Sequence, residues 1–411
     1  MRILIVASSD ITGGAGIAAY RLHNALLSHG VNSKMLVQKK KSDDYTVLGP
    51  ETIGQKIIGL GRPLMEQIPV KKYSQRNGTL FTASWLPFSN IVDKINKINP
   101  DVVHLHWIGG GMMRIEDIFR INAPIVWTLH DNWPFTGGCH IMWGCEKYKD
   151  NCGACPCLGS KKDNDLSRKV FNRKQKVFSK ISDIIIVGVS KWITKCSENS
   201  ELLGNKKHVT IPNPIDTNIY KPLHKKSARR LLNLPHNKKI VLFGANNSNS
   251  DINKGFSKLF ESLNLLGGDD IELVVFGASR PKSDQGFKYK THYLGHVYDD
   301  VSLVAIYSAA DVTVVPSFQE SFGQTASESM SCKTPVVAFG HTGLLDIIDH
   351  KVNGYLATPM DAYDLARGIS FILEAENYSE LCQNSRNKVL RDFDSKLIAT
   401  NFVDLYDQIL K

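Results

Sequence analysis

Eight short runs of aliphatic and β-branched residues recur along the chain without the polar alternation of a half-exposed strand. They read RILIVAS (2–8), DVVHLH (101–106), PIVWTLH (124–130) and DIIIVGVS (183–190), then KKIVLFGA (238–245), IELVVFGA (271–278), DVTVVPS (311–317) and PVVAF (335–339). A strand that is apolar on both sides must be covered on both sides. Parallel sheets with helical crossovers meet that demand. Helical patterns lie between several of the runs. The first, IAAYRLHNALLSHG, follows the break DITGGAG and ends at Gly30. Further helices are expected near 255–266, 301–310, 322–331 and over SKLIATNFVDLYDQIL (395–410). The expected fold class is α/β.

The pattern pauses at HVTIPNPIDTNIYKPLHKK (208–226), rich in Pro and Lys, and then starts again. At 411 residues the chain suits two domains. We therefore expect two Rossmann-like domains, 1–206 and 237–390, joined by a linker at 207–236, with a cleft between them as the natural ligand site. A hydrophobic fraction of 42% and a charged fraction of 22% are those of a folded soluble protein. The net charge of +10 suits an anionic partner, whether nucleic acid, an acidic membrane or a phosphorylated substrate. The N-terminal apolar run, Ile3 to Ala7, is shorter than a signal-peptide core, and no stretch approaches the roughly 18 apolar residues of a membrane span. A cytoplasmic location follows as an expectation, and there disulfides are disfavoured.

The stretch PSFQESFGQTASESM (316–330) is the most informative. A strand ends at Ser317, Glu320 sits in a loop, and a helix is expected to begin near Ser321, with Glu328 eight residues after Glu320. Eight helical residues span ~12 Å, roughly the distance from a sugar to a ribose across a diphosphate. Between the carboxylates lie the backbone N–H groups of Ser321, Phe322 and Gly323, where a helix N-terminus favours phosphate. A lone E-x7-E is more often a cap plus a solvated glutamate. Its place after a buried strand, beside SFG, favours the ligand reading.

Other candidates are fewer. His130 and Asp131 follow a strand end, where such domains place ligand groups. His104 and His106 share one face of an earlier strand and are expected to pack or hydrogen-bond, with acceptor contact the minor reading. GGAG (13–16) opens the first helix without a full G-x-G-x-x-G. LSRKVFNRKQKVFSKI (166–181) puts Leu166, Val170, Val177 and Ile181 on an apolar face. Its basic residues, Arg168, Lys169, Arg173, Lys174, Lys176 and Lys180, suit either an ordinary surface helix or anionic lipid headgroups. In CHIMWGCEKYKDNCGAC (139–155), Cys139, Cys145, Cys152 and Cys155 suggest a closed structural zinc shell, with Cys157 and His140 as spare ligands. Reduced, packed cysteines and disulfides remain open readings.

The chain resembles the family 4 glycosyltransferases. The resemblance runs through GGAGIAAYRLHNAL, VWTLHDNWPFTGGC, VGVSKW, VTIPNPID, INKGF and the E-SFGQTAS-E segment. The HDNWPFTGGCH segment with its cysteines is similar to a bacterial subgroup of exopolysaccharide, capsule and O-antigen assembly. The resemblance implies a GT-B fold, with 1–206 binding the acceptor, 237–390 binding the nucleotide-sugar donor, and a helix over 391–411 returning to the N-terminal domain. It implies retention of anomeric configuration without a catalytic metal, a UDP- or GDP-sugar donor, and a glycan or polyprenyl-diphosphate-linked acceptor. It further implies access to the inner face of the plasma membrane. By position, Glu320 would contact the donor sugar, Glu328 the ribose, and Lys254 and Gly14 the diphosphate. His130 would approach the donor sugar, and its backbone carbonyl would help to stabilise positive charge at the anomeric centre. The arginine usual after the preceding strand is missing; Ala245 and Asn246 stand there. Two other readings are a nucleic-acid binder with a zinc-knuckle-like cluster and a GT-B sugar-nucleotide epimerase. Scattered basic residues speak against nucleic acid, and the E-x7-E arrangement against the epimerase.

Overall fold

RILIVAS becomes β1 (Arg2–Ser9), whose centre, Ile3 to Ala7, is buried throughout. The computed structural model describes residues 1–244, 252–278 and 287–411. β1 lies inside a parallel sheet with β2 (Asn32–Lys39), β3 (Val47–Leu48), β4 (Val102–Leu105), β5 (Ile125–Leu129), β6 (Ile184–Gly188) and β7 (Lys207–Thr210). The order is β3-β2-β1-β4-β5-β6-β7. Register sets Ile5 opposite both Met35 and His104. The chain divides into two units, Met1–Pro214 with Lys396–Lys411, and Ile215–Ser395.

The last helix, Ser395–Leu410, completes the first core. Ile398, Phe402, Leu405 and Tyr406 are buried in one cluster with Ile5, Val126, Ile185 and Val187. Spaced four, three and one apart, they form the inner stripe of one helix. The Tyr406 hydroxyl also meets His104 Nδ1 on β4 at 2.7 Å, so the phenol is not a buried polar group without a partner.

The second unit repeats the plan. Its strands are β8 (Lys239–Gly244), β9 (Ile271–Phe276), β10 (Thr291–Tyr293), β11 (Val312–Val315), β12 (Val336–Phe339) and β13 (Gly354–Ala357), in the order β10-β9-β8-β11-β12-β13. All described pairings are parallel. Val241, Phe243, Leu273, Val314 and Val337 form its core with the helices Phe256–Leu265 and Ala362–Leu373.

Residues 207–236, expected as a linker, are largely built into the units. β7 pairs with β6. The helix Lys225–Leu231 is tied to the end of the later helix Asp300–Ala309 by Arg229, which donates to Asp311 Oδ2 at 2.6 Å and to Ala309 O at 2.9 Å. The basic residues that suggested a solvated linker are thus partly ion-paired. Among the described residues no helix is long and apolar enough to cross a membrane.

Since Phe402 is 2% exposed at the centre of the first core, Phe402→Ala should cost about 3 to 5 kcal/mol of stability. Denaturant unfolding followed by hydrogen exchange should place that loss in Met1–Pro214 and leave β8–β13 protected.

Candidate functional site

In the second unit the site is built at the carboxyl end of β11. The chain runs from Pro316 to Gly323 as a loop and turns helical only at Gln324, in the eight-residue helix Gln324–Ser331. The expected start at Ser321 is therefore three residues early. Gly323 takes a φ of +110°, outside helical space, and serves as the N-cap. Gly323 O accepts from Ala326 N and Ser327 N. Phe322 is buried edge-to-face on Phe393, so its ring is a packing group. Because part of Glu320–Glu328 is loop, the helical rise does not set the spacing of the two carboxylates.

Both carboxylates are held. Glu320 Oε1 accepts from Lys254 Nζ at 2.7 Å, with both side chains partly exposed. Glu328 is buried, and its Oε2 accepts from the Tyr307 hydroxyl at 2.8 Å. Tyr307 was not apparent in the sequence because it sits in the apolar helix Asp300–Ala309. Burial together with the Glu328 charge drives its phenol well above its usual range.

Close backbone packing fixes the pair of Lys254 and Glu320. Gly255 adopts φ +66°, and a Cβ there would lie 1.9 Å from Pro316 O, so the NKG turn presses directly on the end of β11. Phe318 N donates to Asn253 O, and Asn253 Nδ2 donates to Gln319 O, each at 2.8 Å. On the other side Gly343 N donates to Glu320 O at 2.8 Å, and Glu320 N to Thr342 Oγ1 at 3.1 Å. Ala245 and Asn246 lie outside the described residues.

In the first unit the ends of β4 and β5 carry a line of histidines. His104 Nε2 meets Thr128 Oγ1 at 2.7 Å, and His106 Nδ1 meets His130 Nε2 at 2.8 Å. The His104 and His106 rings lie 4.3 Å apart, tilted by 39°, and the His106 and His130 rings stack 5.0 Å apart. Burial holds all three neutral, lowering His104 to about 3, His130 to about 4 and His106 well below its usual value. With its Nε2 committed to His106, the His130 ring is not poised as a general acid at neutral pH.

Asp131 turns the other way. Its Oδ2 accepts from Trp107 Nε1 at 2.8 Å and lies 2.6 Å from His140 Nδ1, while Oδ1 accepts from Trp133 N at 2.9 Å. Burial would raise this carboxyl, but His140 and the two N–H donors hold it low. Lys174 buttresses the same loop. It is fully buried, donates to the carbonyls of Trp133 and Thr136, and sits 3.8 Å from the Trp133 ring centroid. Burial lowers its amine to about 7. The signal for this was present: Lys174 falls four after Val170 and three before Val177, on the apolar stripe of its helix. Gly14 is exposed in the first turn of Gly13–Ser28, beside Gly13 at φ +72°.

The cysteines do not form the expected zinc shell. Among the described residues no group of three or more His, Cys, Asp or Glu side chains is arranged to hold a metal ion. Cys155 and Cys139 each turn to the Cys157 thiol, and Cys152 Sγ instead accepts from Gly137 N at 3.2 Å. Cys145 is half-exposed, and all eight cysteines are free thiols. Hydrogen bonds and close packing brace the loop. Lys147 Nζ donates to the carbonyls of Gly153 and Ala154, and Cys155 N donates to Asp165 Oδ2. A Cβ at Gly137 would fall 2.5 Å from Ser167 O.

The depressed histidines set a pH dependence. An unfolded histidine titrates near 6.5, so on acidification the unfolded chain takes up protons before His104 and His130 do. Their contribution is fully present above about pH 6.5 and is lost as pH falls towards 4. Calorimetry should show the first unit melting lower at pH 5 than at pH 7.5. His104→Asn should flatten that slope; an unchanged slope would count against the assignment.

Two family profiles match. Residues 12–219 match the profile described as Glycosyltransferase Family 4, and residues 224–389 that described as Glycosyl transferases group 1. An uncharacterised glycosyltransferase of Methanocaldococcus jannaschii is 29% identical over 187 residues, covering 43% of this chain and 47% of that protein. The N,N'-diacetylbacillosaminyl-diphospho-undecaprenol alpha-1,3-N-acetylgalactosaminyltransferase of Campylobacter jejuni is 28% identical over 163 residues, covering 38% and 42%. The chain thus spans less than half the length of these two relatives. Among solved structures, Anabaena HepE in complex with UDP and glucose superposes with a TM-score of 0.66 at 17% identity, over 99% of each chain.

Proposed function

The chain belongs to glycosyltransferase family 4 and has its two-unit GT-B fold, and from that premise we propose that it transfers a sugar, with retention, from a UDP- or GDP-sugar to a glycan or polyprenyl-diphosphate-linked acceptor. The observation that carries this reading is the Lys254–Glu320 pair at the carboxyl end of β11. When the anomeric C1–O bond breaks, its electron pair passes to the leaving diphosphate. An ammonium beside that oxygen offsets the growing charge. The donor diphosphate then replaces Glu320 as the partner of Lys254, and Glu320 accepts from a sugar hydroxyl. The acceptor oxygen forms the new bond to C1 on the same face, and its proton leaves with the diphosphate.

Glu328, oriented by Tyr307, is assigned the ribose hydroxyls. The N–H groups of Ser321, Phe322 and Gly323, and Gly14 at the first helix, are assigned the donor phosphates. His130 serves through its backbone carbonyl, which fits a ring already bonded to His106. In this reading the second unit takes the donor and the first the acceptor. HepE, whose structure holds UDP and glucose, supports the donor class. The undecaprenol named for the Campylobacter relative supports a lipid-linked acceptor, and with it a role in bacterial surface polysaccharide assembly.

Nucleotide release from a panel of UDP- and GDP-sugars tests the proposal. Lys254→Ala and Glu320→Gln should each lower turnover by about 100-fold or more with an unchanged melting temperature. Wild-type turnover in both variants sinks the proposed site, and stabilisation by a short oligonucleotide rather than by UDP or GDP sinks the function.

A further inference from the structure

The helix Ile53–Glu66 packs on the first unit with its polar side inward. Ile53, Ile57, Leu60 and Leu64, spaced four, three and four apart, form a single stripe. They are 77%, 65%, 64% and 74% exposed. The side turned to the protein carries Gly59, Arg62 and Glu66. Arg62 donates to the carbonyls of Gly111, Pro87 and Leu86, and Glu66 Oε1 accepts from Ser84 N at 2.6 Å. These bonds fix the rotation of the helix about its axis. A helix that only covered the sheet would bury the stripe and show the charges to water. Here the order is reversed.

The stripe does not stand alone. Ile68, just past the helix, is half exposed, and Phe88 is 95% exposed in the loop directly after the Pro87 carbonyl that Arg62 holds. Charge on this stretch has a single sign at the surface. From Thr52 to Val92 the sole acidic residue is Glu66, and it is buried. Lys56, Lys71, Lys72 and Arg76 are all exposed. A second copy meeting this face about a two-fold axis would set like charges against each other. An anionic lipid surface suits both features, with acyl chains for the stripe and headgroups for the cations.

The basic helix Leu166–Phe178 is less suited to lipid. Lys174 is buried within the unit, Arg173 is paired with Glu116, and Arg168 with Asp163, leaving Lys169, Lys176 and, just beyond the helix, Lys180 exposed.

We propose that the Ile53–Glu66 helix, with Phe88 beside it, docks the chain on an anionic phospholipid bilayer. The helix lies in the plane of the interface, its apolar stripe among the upper acyl chains and its lysines at the phosphates.

Co-sedimentation of the full chain with vesicles tests this without reference to sugar transfer, so either proposal can fail alone. Wild-type protein should bind phosphatidylglycerol vesicles, lose that binding as salt rises, and bind phosphatidylcholine vesicles weakly. The pair Ile57→Ser and Leu64→Ser, and the triple change Lys56→Glu, Lys71→Glu and Lys72→Glu, should each weaken binding at least tenfold with unchanged circular dichroism and melting. Charge reversal of Lys169, Lys176 and Lys180 should change binding less than twofold. Wild-type protein that ignores phosphatidylglycerol, or binds both lipids equally, overturns the proposal. So does a solution dimer, seen by light scattering, that Leu64→Ser converts to monomer without altering vesicle binding.

Discussion

A parallel strand cannot hairpin back on itself, so every connection must cross a face of the sheet before the next strand begins. That rule places the carboxyl ends of all the strands along one edge of each sheet. Each unit has gathered its polar groups there. In the second unit the loop after β11 brings Glu320 to Lys254. In the first, β4 and β5 deliver His106, His130 and Asp131 to neighbouring strand ends. The side chains come from distant parts of the sequence, and the sheet register brings them together.

The two strand-end clusters are stiffened by different means. In the second unit, backbone presses on backbone at Gly255 and Gly343, where any side chain would collide with the loop that holds Glu320. The partly exposed ion pair thus sits on a closely packed frame. In the first unit the stiffness comes from buried polar groups that satisfy one another. Asp131, His140, Trp107 and Thr82 form one connected chain of hydrogen bonds, and Lys174 fills the space beneath with an amine whose N–H groups meet carbonyls. Such a network tolerates little rearrangement, since each lost bond leaves a buried group without a partner.

The eight apolar runs of the sequence correspond to β1, β4, β5 and β6 and to β8, β9, β11 and β12. In the second sheet these are the interior strands, and the two that left no such signal, β10 and β13, are its edges. GYLA, although mostly buried, is four residues opening on a glycine, and THY is a half-buried edge that needs no continuous apolar run. The same holds for KHVT in β7. β2 was hidden because two of its residues, Asn32 and Lys34, point outward. At the sites, the strand end before Glu320 and the SFG between the carboxylates marked Glu320 and Glu328, whereas Lys254 came from the family resemblance alone. Tyr307 was not read, because a polar residue in an apolar helix passes for packing, and Lys174 was grouped with the basic face although its spacing puts it on the apolar stripe. The cysteines misled for the opposite reason. Their spacing resembles that of ligands, but Cys139 and Cys155 turn to Cys157 while Cys152 meets a backbone N–H, so the four do not converge on one point.

The return of Ser395–Leu410 to the first core has a consequence during synthesis. Residues 1–214 leave the ribosome first, but the sheet they form lacks one of its covering layers until the final helix appears. At about 5 to 20 residues per second, the intervening stretch takes on the order of 10 to 40 s to make. The second unit, Ile215–Ser395, is contiguous and can fold as soon as it emerges. The N-terminal unit, although begun first, is therefore the one finished last. Over that interval the side of β1, β5 and β6 that later receives Phe402 and Leu405 is apolar surface still waiting for its cover.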